Sequence, residues 1–188
     1  MPRFDSTFGR TAGMFILTAC ALAPLGVARG QQAVSAAVTT GADTAAGQMA
    51  EFERRRAGGF GHFLTQHQLD QHRSARMSEV LALLSGVKIK YAIFSSRTLP
   101  AGAYVVALRG QPSLANQNPA FKKDCPAAIM IDGTFVYTGM AGELPFDVNT
   151  LSPGNLAGVE FYSGGSNMPP EFNGTRNSCG LVVMWTRR

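Results

Sequence analysis

Asp132-Gly133 stands between Ala127-Ala128-Ile129-Met130-Ile131 and Thr134-Phe135-Val136-Tyr137. An Asp-Gly pair between two β-rich runs is the strongest short hairpin signal, because the tight turn that matches strand twist needs positive φ at both central positions. The pair therefore commits the second half of the chain to sheet. Two further runs join it. Gly158-Val159-Glu160-Phe161-Tyr162 follows the turn Ser152-Pro153-Gly154-Asn155, and Leu181-Val182-Val183-Met184-Trp185-Thr186 is β-branched and aromatic. Upstream, Val87-Lys88-Ile89-Lys90-Tyr91 alternates apolar and basic residues, the pattern of an edge strand with one wet face, and Tyr104 to Leu108 is a second candidate strand.

Helical signals precede these strands. Thr44 is placed to cap a helix from Ala45 to about Arg56, with Met49 and Phe52 on one face and Gly58-Gly59 as its stop. Thr65 with Gln68 has the form of a capping box for a short helix reaching about His72. Ser74 or Ser78 starts the next helix, whose stripe Val80, Leu81, Leu83 and Leu84 ends at Gly86 and packs on the sheet. Gln111 to Asp124 has two prolines and no period, so it reads as a surface loop. The fold class expected is α+β, a small mixed β-sheet flanked by short helices.

The first 30 residues form a separate unit. Arg3 and Arg10 precede an apolar run from Met14 to Val27, and Ala28-Arg29-Gly30 closes it, the pattern of a secretory signal peptide. The run is about 14 residues and falls short of the ~20 that a membrane-spanning helix needs. Leu17-Thr18-Ala19-Cys20 also resembles a lipobox, so a lipoprotein anchored through Cys20 is the alternative. Residues 31–44, rich in Gln, Ala, Thr and Gly, read as a flexible linker, which leaves 45–188 as the domain.

The formal charge of +5 drops to +3 once Arg3, Arg10, Arg29 and Asp5 leave with the signal. The cations that remain form no continuous stripe apart from Arg54 to Arg56 and Arg187-Arg188, which argues against a nucleic-acid partner. Export also changes the cysteine count. Cys20 leaves, and Cys125 and Cys179 remain as an even pair in an oxidising compartment, where a disulfide is favoured over two buried thiols or a partial metal site. Closing about 54 residues, it would contribute on the order of 3 to 4 kcal/mol in the chain-entropy account.

Residues with catalytic or metal-binding chemistry form no recognisable set. His62, His67 and His72 recur every five residues, which walks around a helix by about 140° per step and puts them on different faces. Asp132 reads as a turn residue whose side chain satisfies its own turn, and Glu160 as a strand residue pointing out of the other face of the sheet. Gly164-Gly165-Ser166-Asn167 is glycine-rich, but Met168-Pro169-Pro170 follows in place of the helix that a phosphate cradle needs. No catalytic residue, cofactor site or metal site is assigned; the one pairing assigned is Cys125 with Cys179.

Several phrases run in a telling order: Glu51-Phe52-x-x-Arg55-Arg56, Gly59-Phe60-Gly61-His62-Phe63-Leu64-Thr65, Met77-Ser78-Glu79-Val80-Leu81, Ser85-Gly86-Val87, Cys125-Pro126, Ile131-Asp132-Gly133, Val159-Glu160-Phe161-Tyr162, Pro169-x-Glu171-Phe172-Asn173 and Cys179 to Thr186. This series, spanning about residues 51 to 187, resembles the plug domain of TonB-dependent outer-membrane receptors, and more closely the short exported plug-like proteins that lack the barrel. The resemblance implies a small sheet flanked by helices, with loops that in full receptors help hold a ligand. No long series of alternating strands follows Trp185 as a barrel would require, and the chain ends on Arg188 where such barrels tend to end on an aromatic residue. Residues 33–40 are a weak imitation of a TonB-contacting segment; a linker of this composition is commonplace.

The expected role is therefore an exported binding module whose partner is an envelope protein or a transported small ligand, with membrane association through an outer-membrane partner. A small envelope enzyme and a structural envelope protein are the alternatives, since function resides in a site and not in a fold. N-terminal sequencing of the envelope-purified protein should begin at about Gln31; lipid on Cys20 would establish the lipoprotein instead, and an intact Met1 would end the export reading.

Overall fold

A computed structural model describes residues 45–188 apart from 94, 98, 111–120, 122–123, 141, 165–166 and 175–177. The signal and linker, Thr44, Cys20, residues 33–40 and most of the 111–124 loop lie outside the described residues. The elements run α1 (Ala45–Ala57), β1 (His62–Thr65), α2 (Gln66–Gln71), α3 (Met77–Leu81), β2 (Val87–Ala92), β3 (Gly102–Ala107), β4 (Ala128–Ile131), β5 (Thr134–Tyr137), β6 (Leu156–Tyr162) and β7 (Leu181–Thr186). The fold is α+β, as the sequence implies.

Five strands make a mixed sheet in the order β1-β6-β7-β4-β5, in which β4 and β7 are parallel and the other pairs antiparallel. The β4–β5 hairpin turns at Asp132 (φ 47°) and Gly133 (φ 83°), the two positive values that the Asp-Gly pair predicts. A second sheet of β2 and β3 attaches through the segment leading into β4, since the Ala127 amide donates to the Val105 carbonyl at 3.0 Å. As expected, β2 is an edge: among the described residues its strand partner is β3.

Both faces of the five-stranded sheet are covered. One face carries Val159, Phe161, Val182, Met184 and Ile129, which pack with Leu69 of α2, Met77, Val80 and Leu81 of α3, and Val105 of β3. The other carries Ala128, Met130, Tyr162, Leu181, Val183 and Trp185, which pack with Phe52 of α1. Burial on both sides explains why β6 and β7 read as nearly continuous apolar runs with no polar alternation.

Two local expectations need correction. The α3 stripe buries Val80, Leu81 and Leu84, but Leu83 is 62% exposed, because the helix has given way to turns by that point. Neither Ser74 nor Ser78 caps α3: the cap position is Arg76, Glu79 reaches back to its amide at 3.3 Å, and the Ser78 amide donates to Asn149 Oδ1 at 3.0 Å. The acceptor comes from a turn 71 residues downstream, which no local pattern reveals. One element had no sequence signal: β1 is a four-residue edge strand too short to carry an alternation of its own and defined by its pairing with β6.

The remaining helix signals hold. Thr65 and Gln68 form the capping box of α2, with Gln68 Oε1 accepting from the Thr65 amide at 2.9 Å. Gly86 adopts φ 86° where α3 and its following turns give way to β2. Leu81 is fully buried between α3 and the sheet. Leu81→Asp should cost about 4 kcal/mol or more and lower the thermal midpoint by roughly 10 °C, because it buries an unpartnered charge. An unchanged midpoint in a thermal melt would remove Leu81 from the core.

Candidate functional site

The face of the sheet beneath α1 holds the most unusual chemistry. β6 places Glu160 and Tyr162 on that face, two residues apart, and β7 places Trp185 beside them, diagonal to Glu160 through the Gly158–Trp185 and Glu160–Val183 pairs. Glu160 is fully buried. Its Oε1 accepts from Arg55 Nη2 at 2.7 Å and from Trp185 Nε1 at 2.5 Å. Its Oε2 accepts from Arg55 Nε at 2.8 Å and from the Tyr162 hydroxyl at 2.5 Å. The sequence places Glu160 on the sheet's other face; that face is correct, and α1 covers it, so the carboxylate meets an arginine and two ring donors.

Arg55 comes from the last turn of α1, with a side chain only 6% exposed. Its guanidinium lies 5.0 Å from the centre of the Phe172 ring and 5.7 Å from that of Trp185, so aromatic rings flank a cation already paired to Glu160 through Nε and Nη2. Burial works against the guanidinium's charge, yet the hydrogen bonds and charge of Glu160 leave it more firmly protonated than usual. Burial also pushes the Tyr162 hydroxyl well above its ordinary range, and its bond to the Glu160 carboxylate adds to that. The tyrosine therefore acts here as a donor.

The helix sits close because Gly158 has no side chain: a Cβ there would lie 2.9 Å from the Phe52 ring. Phe52 contacts Phe63 edge-on, at 5.6 Å between centroids. At the C-terminal end of α1 a cleft of about 360 Å³ opens towards Met168, Pro169, Pro170 and Glu171, walled on the other side by Arg54 and Phe60. Phe60 is 65% exposed there, between two glycines of positive φ. Glu171 accepts from Arg54 at 3.3 Å and from Arg55 at 3.4 Å, so the rim of the cleft connects to the buried pair. The cleft's size and mostly apolar walls suit a small ligand or one inserted side chain.

The two cysteines are joined, with Cα atoms 5.1 Å apart. The bond ties Cys125, three residues before β4, to Cys179, two residues before β7, at the same end of two parallel neighbours. Gly110, from which the 111–120 segment departs, lies against the same point: a Cβ on it would sit 2.9 Å from the Cys179 carbonyl oxygen. Gly110 and Cys125, which bracket the polar stretch 111–124, thus meet at the disulfide, and Cys179, which follows a second polar stretch at 163–176, is its other half.

The other residues considered in the sequence stay apart. His62 stacks on Phe161 in β1, His67 lies in α2 and His72 at its end, all exposed. Among the described residues no group of three or more His, Cys, Asp or Glu is placed to hold a metal ion, and no helix is long and apolar enough to cross a membrane. Asp132 occupies the turn but does not cap it: its carboxylate accepts from the Thr186 amide at 2.9 Å and hydroxyl at 2.6 Å, pinning the end of β7. Burial alone would raise its pKa, but those bonds and Arg188 hold it below the usual carboxylate value. After the glycine-rich stretch, a 3-10 turn of three residues forms at Pro170–Phe172. Arg55 and Tyr162 went unassigned by sequence reasoning, although Glu51-Phe52-x-x-Arg55 and Glu160-x-Tyr162 already carried the spacing that brings them together.

Arg55→Ala should cost about 3 to 5 kcal/mol in urea unfolding, since it strands a buried carboxylate, whereas the double change Arg55→Met with Glu160→Met should recover most of that loss. Equal losses in the single and double variants would show that the pair does not act as a unit. No protein-family model matches the chain, and no curated protein is similar to it.

Proposed function

We propose that the protein is an exported, non-enzymatic binding module of the kind formed by the plug of TonB-dependent outer-membrane receptors. It would act as a short plug-like domain without a barrel, associated with envelope transport or ligand binding. The observation that carries this reading is the convergence of two polar loops on one disulfide at the end of a rigid sheet. Loops on a rigid scaffold are where recognition usually resides, and cross-linking their bases lowers the ordering entropy lost on binding. The cleft beside Phe60 supplies an apolar anchor point on the same domain. The order of motifs from Glu51 to Thr186 supports the plug reading, and a disulfide suits a compartment outside the cytoplasm.

A photo-cross-linking amino acid at Phe60 or at Asn116, introduced into the full chain in intact cells, should give a discrete adduct with an envelope protein. Cys125→Ser should weaken that adduct more than it lowers the sheet signal in circular dichroism. No adduct from either position, or turnover of a substrate by the purified protein, would overturn the reading.

A further inference from the structure

α1 is attached to the sheet in an unusual way. It buries only Phe52 and Arg55 completely, and the second is a charged residue. The helix is bordered by open clefts at both ends: that of about 360 Å³ beside Met168, and another of about 370 Å³ between Met49, Gln66, Trp185 and Arg187. Its grip on the sheet therefore lies mostly in the middle. Behind it the chain passes through Gly58-Gly59-Phe60-Gly61, where Gly59 and Gly61 hold positive φ and Phe60 is largely exposed.

The surface beneath the helix is built to read an arginine whether or not α1 supplies it. Tyr162 and Trp185, both on the sheet, donate to the Glu160 carboxylate without any help from the helix. Two oxygen lone-pair directions are thereby aimed at one planar fork, and Phe172 and Trp185 flank the place where its cation rests. Gly158 makes the accompanying notch for an aromatic ring one turn earlier. A helix bearing phenylalanine and arginine three residues apart meets both features. Such a site is a lock for a particular helix more than a layer of core, because a buried ion pair adds specificity more readily than stability.

We propose that this surface is a docking socket for a Phe-x-x-Arg helix, filled in the isolated chain by its own α1 and open to exchange with the α1 of a second copy. The second copy is the occupant that the structure favours, because its helix carries the required pair by construction. A four-residue connection with three glycines, two of them at positive φ, is also the kind of short hinge from which elements swap. The exchanged dimer would carry two sockets, each closed by the partner's Phe52 and Arg55, and would leave the disulfide-held loop bases of each copy untouched.

Complementation tests the exchange with the mature chain. One variant, Phe52→Ala with Arg55→Ala, keeps the socket and loses the helix anchors; the other, Gly158→Val, keeps the helix and blocks the notch. Native mass spectrometry should find each alone as a monomer and the mixture as a heterodimer, with one variant ¹⁵N-labelled to identify it. A mixture that stays monomeric while both variants keep their disulfide and sheet signal would overturn the proposal. A synthetic Ala45–Ala57 peptide should bind the first variant, and the same peptide with Arg55→Lys should bind about tenfold more weakly, since lysine cannot span both carboxylate oxygens. Peptide binding without heterodimer formation would show a socket that reads a foreign helix and would refute the second copy as its occupant. Should either variant fail to fold, hydrogen exchange on the unmodified chain decides: α1 amides should exchange about tenfold or more faster than those of β6 and β7. Exchange of α1 only together with the sheet would overturn the proposal.

Discussion

Glu160 is fully buried, and everything on one side of the sheet is arranged to make that tolerable. An unpartnered carboxylate in an apolar layer costs several kcal/mol even after relaxation, so it must be surrounded by donors. Four hydrogen bonds meet it, two from Arg55, one from Tyr162 and one from Trp185. Each of those donors fixes something larger. Arg55 sets the rotation and height of α1, Trp185 requires β7 to pair with β6 in the register that brings it diagonal to Glu160, and Tyr162 draws Phe172 and the Pro170–Phe172 turn against the sheet. A shift of β7 by one residue would move Trp185 to the opposite face and remove a donor from the carboxylate. The polar network thus specifies a register that the apolar face, with Val182 and Met184 in nearly continuous hydrophobic surroundings, discriminates less sharply.

The opposite face is held by ordinary burial. Leu69, Val80, Leu81 and Val105 close over Val159, Phe161, Val182 and Met184 with no charged group among them. Apolar burial stabilises at about 25 cal/mol per Å² and asks for little geometric discrimination. Stability and specificity are therefore divided between the two faces. The α2/α3 side contributes most of the dry core, whereas the α1 side decides which helix lies on the sheet and at what height.

This division explains what was legible in the sequence. The strands of the main sheet other than β1, the hairpin at Asp132-Gly133 and the capping box at Thr65 and Gln68 follow from local chemistry, and the chain shows them where the residues place them. The cysteine pairing was legible from the count once export was assumed. The environment of Glu160 was not, because a polar residue in a strand has the same local pattern whether its face is wet or covered by a helix 105 positions earlier. The Asn149 acceptor for the Ser78 amide and the Thr186 bonds to Asp132 failed for the same reason: a side chain that looks ready to satisfy its own turn can serve a distant backbone instead. Short-range patterns report the elements, while long-range polar contacts report how they are assembled.

The disulfide and the buried pair act at different places and constrain different motions. Cys125–Cys179 restrains the starts of β4 and β7, so it limits how far the polar loops entering those strands can spread, but it places no covalent restraint on α1. The links from α1 to the covalently restrained part of the fold include the Gly58–Gly61 connection, Phe52 in its notch with Met49 packed beside it, and salt bridges from Arg54 and Arg55. Of these, the Arg54 bridges are exposed and worth little, so Phe52, with Met49 beside it, and the desolvated Arg55 carry most of the attachment. Desolvated charge pairs are sensitive to geometry: when the guanidinium moves out of reach, water enters and each partner recovers its hydration, so the helix is either seated or released, with few intermediate positions of low energy. A domain with one face locked by apolar packing and a cross-link, and the other closed by an all-or-none polar contact, can change its surface without disturbing its core.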